Sequence, residues 1–331
     1  MTDDRIPVSV LTGFLGSGKT TLLNRLLRHP GMGETAVVVN EFGAIGIDNA
    51  LIVGSSDQVL LLESGCICCA VRGDLLHTLA ELMAKRSAGA VSPFKRVVIE
   101  TTGLADPAPI LQSLMTDMMM LKHFRLAPVV TVVDAYHGAR SLDEHAEALK
   151  QAAMADRLVL TKGDIAAPGA VEQLRARLAA LNPAATLSDA FVDELTPEAL
   201  FGATDFSVTG KMAELKAWLA AHTEPHGHDH DIVAHCIVFD APLDWDSVAQ
   251  WLDELALEHG QHLLRVKGLL NVCGQAEPVV IQGVHHLFHP PATLPAWPDG
   301  DQRSRLVFIV RNLDRSVLLA AAPCAAALSA V

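Results

Sequence analysis

Residues 6–24 read IPVSVLTGFLGSGKTTLLN, and no other stretch constrains the fold as tightly. An apolar run enters Gly13-x-x-x-x-Gly18-Lys19-Thr20, and a segment of helical period follows. This is the P-loop pattern in its strand–loop–helix context. Its glycines let successive backbone N–H groups turn inward around phosphate oxygens. The helix that opens after the loop adds the positive end of its dipole. Lys19 is expected to reach the β- and γ-phosphates, and the Thr20 hydroxyl to hold Mg²⁺. Leu15, Gly16, Ser17 and Thr21 complete the expected set of phosphate-contacting residues.

A P-loop needs a sheet behind it, and the pattern supplies one. Short Val/Ile/Leu-rich runs recur at residues 6–11, 36–39, 59–62, 96–99, 129–133 and 158–160. Helical periods occupy 20–27, 74–85, 143–154 and 170–181. This alternation predicts an α/β fold, a doubly wound and mostly parallel P-loop NTPase sheet covered on both faces. The 331 residues suggest about two domains. HTEPHGHDHD, at 222–231, breaks the pattern with polar residues, Pro225 and Gly227. The expected division is a nucleotide domain over 1–222, a His-containing linker over 223–231 and a smaller α+β domain over 232–331. That domain is expected to hold strands near 232–239, 262–266, 279–283 and 306–310, a helix near 244–258 and another near its end.

A later strand ends in Thr161-Lys162-Gly163-Asp164. A carboxylate there accepts two hydrogen bonds from guanine N1–H and the 2-amino group. Adenine offers no such pair, so Asp164 is expected to select GTP. The aliphatic stem of Lys162 can lie over the base. Most GTPases carry asparagine where this chain has Thr161.

Composition sets the chemistry of the cysteines. The formal net charge of −13 argues against nucleic acid or anionic membrane as partner. No signal peptide or spanning segment is visible in the sequence, so a cytoplasmic location is expected. Thiols stay reduced there, and clustered cysteines then favour metal or redox roles. Three of the six cysteines, Cys66, Cys68 and Cys69, fall in ESGCICC; Cys236, Cys273 and Cys324 are scattered. Thiolates suit Zn²⁺, Cu⁺ or iron–sulfur centres. Three of them make an incomplete tetrahedral set, able to bind a metal and hand it on. The alternatives are three small apolar residues packed at a strand end, or a disulfide switch.

Taken together, GFLGSGKTTLLN, NEFG at 40–43, ESGCICC at 63–69, ETTGLADPAP at 100–109 and TKGD at 161–164 resemble the CobW branch of the P-loop GTPases, related to HypB and UreG. RVKGLL at 265–270 and QGVHHLF at 282–288 extend the resemblance into the second domain. The resemblance implies a GTP-hydrolysing metallochaperone whose CxCC motif is Cys66-Ile67-Cys68-Cys69. It also implies that Glu100 and Gly103 form the second acidic motif. Glu100 would hold a Mg²⁺-bound water or orient the attacking water, and Gly103 would donate its N–H to the γ-phosphate. Glu41 and Asp48 are candidate switch residues toward metal or Mg²⁺, and Glu41 is a candidate fourth zinc ligand.

His226, His228 and His230 alternate in the linker, so in an extended chain they share one side and can capture Zn²⁺, Co²⁺ or Ni²⁺. A solvated linker accounts for them equally well. The expected partners are GTP and GDP, a transition-metal ion and a client metalloprotein, with the chain a monomer or weak homo-oligomer. Zinc is the first expectation for the metal. Cobalt delivery, and a passive metal-binding module with negligible turnover, are the alternatives.

Overall fold

The computed structural model describes residues 4–40, 50–53, 59–62, 71–202, 232–298 and 300–323. These residues group into two compact units. The first carries a sheet of eight strands: β1 (Ile6–Thr12), β2 (Thr35–Asn40), β3 (Ala50–Val53), β4 (Val59–Leu62), β5 (Arg96–Thr101), β6 (Phe124–Asp134), β7 (Arg157–Thr161) and β8 (Thr186–Asp189). Their order is β4-β3-β2-β5-β1-β6-β7-β8. From β2 to β8 every neighbouring pair is parallel. β3 runs antiparallel to β2, and β4 antiparallel to β3.

Two reversals restore direction, so β4 points the same way as β1. Its carboxyl end therefore lies on the edge from which the P-loop leaves. The sequence reading missed β3, although its ALIV is as long and as apolar as β4, and β8, whose TLSD carries little apolar signal.

The helices are α1 (Lys19–Leu27), α2 (Val71–Ser87), α3 (Ala108–Thr116), α4 (Met118–His123), α5 (Gly138–Glu144), α6 (Ala146–Met154), α7 (Ala170–Leu181) and α8 (Pro197–Phe201). The single helix expected over 143–154 is instead broken. His145 takes an extended conformation, ending α5 and starting α6. Both faces of the central strands are buried, as continuous apolar runs require. On one face Leu11, Val98, Val130 and Val159 pack with Leu22, Leu23 and Leu26 of α1 and with Leu200 and Phe201 of α8. α3, α4 and α6 also pack against β6.

The second unit holds an antiparallel sheet: β9 (Ile232–Phe239), β10 (Leu263–Leu270), β11 (Val279–Val284), β12 (Leu287–Phe288), β13 (Ala292–Thr293) and β14 (Ser304–Arg311). The helix Trp245–His259 starts where Asp244 accepts a hydrogen bond from the Ser247 amide, and it buries Val248, Trp251, Leu252 and Leu255. Trp251 Nε1 donates to the carbonyl of Leu318 in the closing helix Arg315–Ala320 (2.9 Å). His285 and His286 form the two-residue turn between β11 and β12, with His285 at φ 53°. Among the described residues no helix is long and apolar enough to cross a membrane.

Candidate active site

Strand order sets where chemistry is possible. From β1 the chain passes β5 to reach β2, and after β5 it crosses β1 to reach β6. Open α/β sheets bind ligands at such a reversal, outside the carboxyl ends of the strands. The P-loop lies there. Gly13 has φ 142°, and a Cβ on it would sit 2.3 Å from the Val132 carbonyl oxygen of β6, so no side chain fits. Lys19 Nζ folds back to donate to the carbonyls of Gly13 (2.9 Å) and Phe14 (3.3 Å). The ammonium is thus held over the loop that would receive phosphates.

Thr20 Oγ1 donates to Glu100 Oε1 at 2.6 Å. Glu100 is 3% exposed, at the end of β5, and the buried pair Thr101 Oγ1–Thr12 Oγ1 (2.8 Å) locks β5 to β1 beside it. A hydroxyl and a carboxylate meeting at the P-loop form an oxygen donor set suited to Mg²⁺. Gly103 lies against the P-loop: a Cβ there would be 2.7 Å from the N and Cα of Leu15.

The TKGD segment joins the same edge one strand beyond β6. Thr161 Oγ1 donates to the Ser17 carbonyl at 2.6 Å, in a buried position. The hydroxyl therefore ties the TKGD segment directly to the P-loop. Lys162 takes φ 58°, and its ammonium pairs with Asp134 Oδ2 at 2.7 Å. Asp134 Oδ1 also accepts from the amides of Tyr136 and His137 (2.8 and 3.2 Å), which shapes the turn after β6. Asp164 is exposed.

Asp134 went unread in the sequence, although it ends a long apolar strand at the carboxyl edge. From the Ser17 contact, Thr161→Val is expected to cost about 1–2 kcal/mol by leaving a buried carbonyl without its donor. Thr161→Ser should recover most of this. Urea unfolding of the three proteins measures it, and a valine variant as stable as the wild type would deny the hydroxyl this role.

The structure brings together Lys19, Thr20, Glu100, Gly103, Thr161 and Lys162 at one edge. Cys66, Cys68, Cys69, Glu41, Asp48, His226, His228 and His230 lie outside the described residues. Among the described residues no group of three or more His, Cys, Asp or Glu side chains is placed to hold a metal ion. Burial pushes the Cys236 thiol up to about 11, so it stays protonated at neutral pH and is a poor metal ligand.

The loops leave this edge in a definite order. Residue 63 follows β4, residue 41 follows β2, the Glu100 segment ends β5, the P-loop follows β1 and TKGD ends β7. At about 4.8 Å per strand, the carboxyl end of β4 stands about 19 Å from that of β1 and that of β2 about 10 Å.

Residues 7–189 match the family described as CobW/HypB/UreG, nucleotide-binding domain. Residues 232–322 match the cobalamin synthesis protein cobW C-terminal domain. The chain is similar to the zinc chaperone YjiA of Escherichia coli (strain K12), at 34% identity, with 96% of this chain and 97% of that one covered. It is also similar to the zinc chaperone CobW of Pseudomonas aeruginosa, at 29% identity, with 95% and 90% covered. The crystal structure of zinc-bound YjiA GTPase superimposes with a TM-score of 0.71 at 31% identity, over 96% of this chain and 98% of that one.

Proposed function

Because the chain belongs to the CobW/HypB/UreG family, we propose that it is a GTP-hydrolysing metallochaperone that carries Zn²⁺ on Cys66, Cys68 and Cys69 and releases it to a client protein according to its nucleotide state. One observation carries this reading: the order of loops along the sheet edge. The base-side loop stands on one side of the P-loop. The Glu100 segment and the strands leading to NEFG and CxCC stand on the other.

Each residue then has a role. Asp164 reads guanine, and Lys162, steadied by Asp134, flanks the base. Lys19 and the P-loop amides of Gly13 to Thr21, among them Leu15, Gly16, Ser17 and Gly18, hold the phosphates. Thr20 holds Mg²⁺, which when bound neutralises charge on the phosphate oxygens. Glu100 orients water beside it, and the Gly103 amide faces the γ-phosphate. Glu41 and Asp48 serve as switch residues, and His226, His228 and His230 add a weaker metal-collecting segment. The division that goes with this reading is a nucleotide domain over 1–222, a linker over 223–231 and a second domain over 232–331, supported at its last boundary by the C-terminal family match that opens at residue 232.

Zinc is preferred over cobalt because the ligands are thiolates and because the relatives are named zinc chaperones. The soft metal is cargo, whereas Mg²⁺ belongs to the nucleotide.

The test begins with nucleotide choice. The wild type should bind GTP far more tightly than ATP, and Asp164→Asn should weaken GTP binding and favour xanthine nucleotides. Equal affinity for GTP and ATP would remove Asp164 from the base site. Steady-state phosphate release with and without Zn²⁺ then distinguishes a cycling chaperone from a passive metal module, which would show negligible turnover in both.

A further inference from the structure

Helix α6 carries a fully buried glutamine, 0% exposed, that the nucleotide-binding motifs do not include. Gln151 Nε2 donates to two carbonyls of the loop after Glu100, those of Ala105 (2.9 Å) and Gly103 (3.2 Å). Two carbonyl acceptors fix which end of the amide is the NH₂. The preceding residue grips the same loop, with Lys150 Nζ on Asp106 Oδ2 at 2.9 Å. Adjacent helix residues diverge by about 100°, so one loop held by both must wrap over the helix surface.

The frame behind this grip is the P-loop's own. The Gln151 carbonyl accepts from Thr131 Oγ1 of β6 (2.7 Å), and Val132 of the same strand is what Gly13 packs against. Gln151 Oε1 and Ser17 Oγ are both buried with no hydrogen-bond partner among the described atoms. Gln151 and Ser17 line one cavity of about 20 Å³. The held loop meets the P-loop where Gly103 touches Leu15.

We propose that Gln151, seconded by Lys150, is a positioning residue for GTP hydrolysis: it fixes the Gly103 loop against the P-loop, where the γ-phosphate is received. This rests on the GTPase reading above. The physical content is preorganisation. A loop held at Gly103, Ala105 and Asp106 presents the Gly103 amide without first having to be ordered, and small misplacements at a reacting centre are costly. GDP lacks the γ-phosphate and is insensitive to that placement.

The test compares nucleotides rather than activity alone, using the full chain. Gln151→Met keeps length and removes the donor. It should lower affinity for a non-hydrolysable GTP analogue, and kcat for GTP, by about tenfold each. GDP affinity should stay within about twofold. Lys150→Met, at a partly exposed position that avoids the risk of misfolding, should show the same selective pattern more weakly, and Lys150→Arg should restore wild-type values. A residue that merely stabilises the fold would lower unfolding temperature and weaken GDP and GTP analogue alike. Parallel loss of both nucleotides, or no selective loss in either methionine variant, overturns the assignment. A wild-type protein that neither hydrolyses GTP nor prefers it to ATP overturns the GTPase reading and this assignment with it.

Discussion

Lys19→Ala is expected to reduce GTP turnover by at least about 10²–10³-fold, the cost of deleting a preorganised charge that stabilises developing negative charge. The lysine ammonium is held by the Gly13 and Phe14 carbonyls, close to the loop amides. The loop's own backbone therefore fixes the ammonium in place. Alanine also removes a mostly buried cation from an acidic chain. Alanine has the highest helix propensity of any residue, and Lys19 opens α1, so the helix should survive. Phosphate release measures the loss. Zinc stoichiometry on the same protein should be unchanged, because thiols and phosphate loop use different atoms. Unchanged turnover in this variant would mean that the measured activity belongs to a contaminating GTPase.

Alanine at Cys66, Cys68 and Cys69 together should abolish the tight zinc site, leaving at most weak binding by His226, His228 and His230. In the wild type, zinc affinity should depend on whether the protein holds no nucleotide, GDP or a non-hydrolysable GTP analogue. A coupling of about 5–150-fold is ordinary for such a switch, and linkage requires zinc to change GTP affinity by the same factor. The motivation is geometric. β4 ends on the P-loop edge four residues before Cys66, and β2, which ends at Asn40, stands between β4 and β1. Chelator competition in the three nucleotide states gives the numbers. Equal zinc affinity in all three would leave a GTPase with an independent metal site, and retention of tight zinc by the triple variant would place the cargo on other ligands.

Much of the nucleotide site was legible because its parts are local. Gly13 to Thr20 form one loop, and its strand and helix are its immediate neighbours in sequence, so a single stretch specified both conformation and chemistry. TKGD was legible once a P-loop required later strands at the same edge. Three cysteines in four positions need no fold to be noticed, and the zinc role proposed for them rests on residue type. In the second unit β9, β11 and β14 were read to within two residues at each end, whereas β10 was followed only to Val266, because Lys267 and Gly268 interrupt its apolar run, and the two-residue strands β12 and β13 were missed.

What the sequence alone determined about this protein was therefore its chain-local content: the P-loop, the alternation that makes a covered parallel sheet, and the residue types on which the proposed phosphate, guanine and zinc roles rest. Only the tertiary structure decided how distant residues meet. β3 turned β4 back toward the P-loop edge through two antiparallel pairings that no local pattern announces. Thr161, which differs from the asparagine of most GTPases, found its use in the Ser17 carbonyl 144 positions away. Asp134 became the partner of Lys162, and Gln151 the clamp on Gly103, through strands and helices that pack side by side. Such contacts carry no sequence period, because hydrogen bonds between elements depend on register and packing, and these are fixed only when the whole sheet forms.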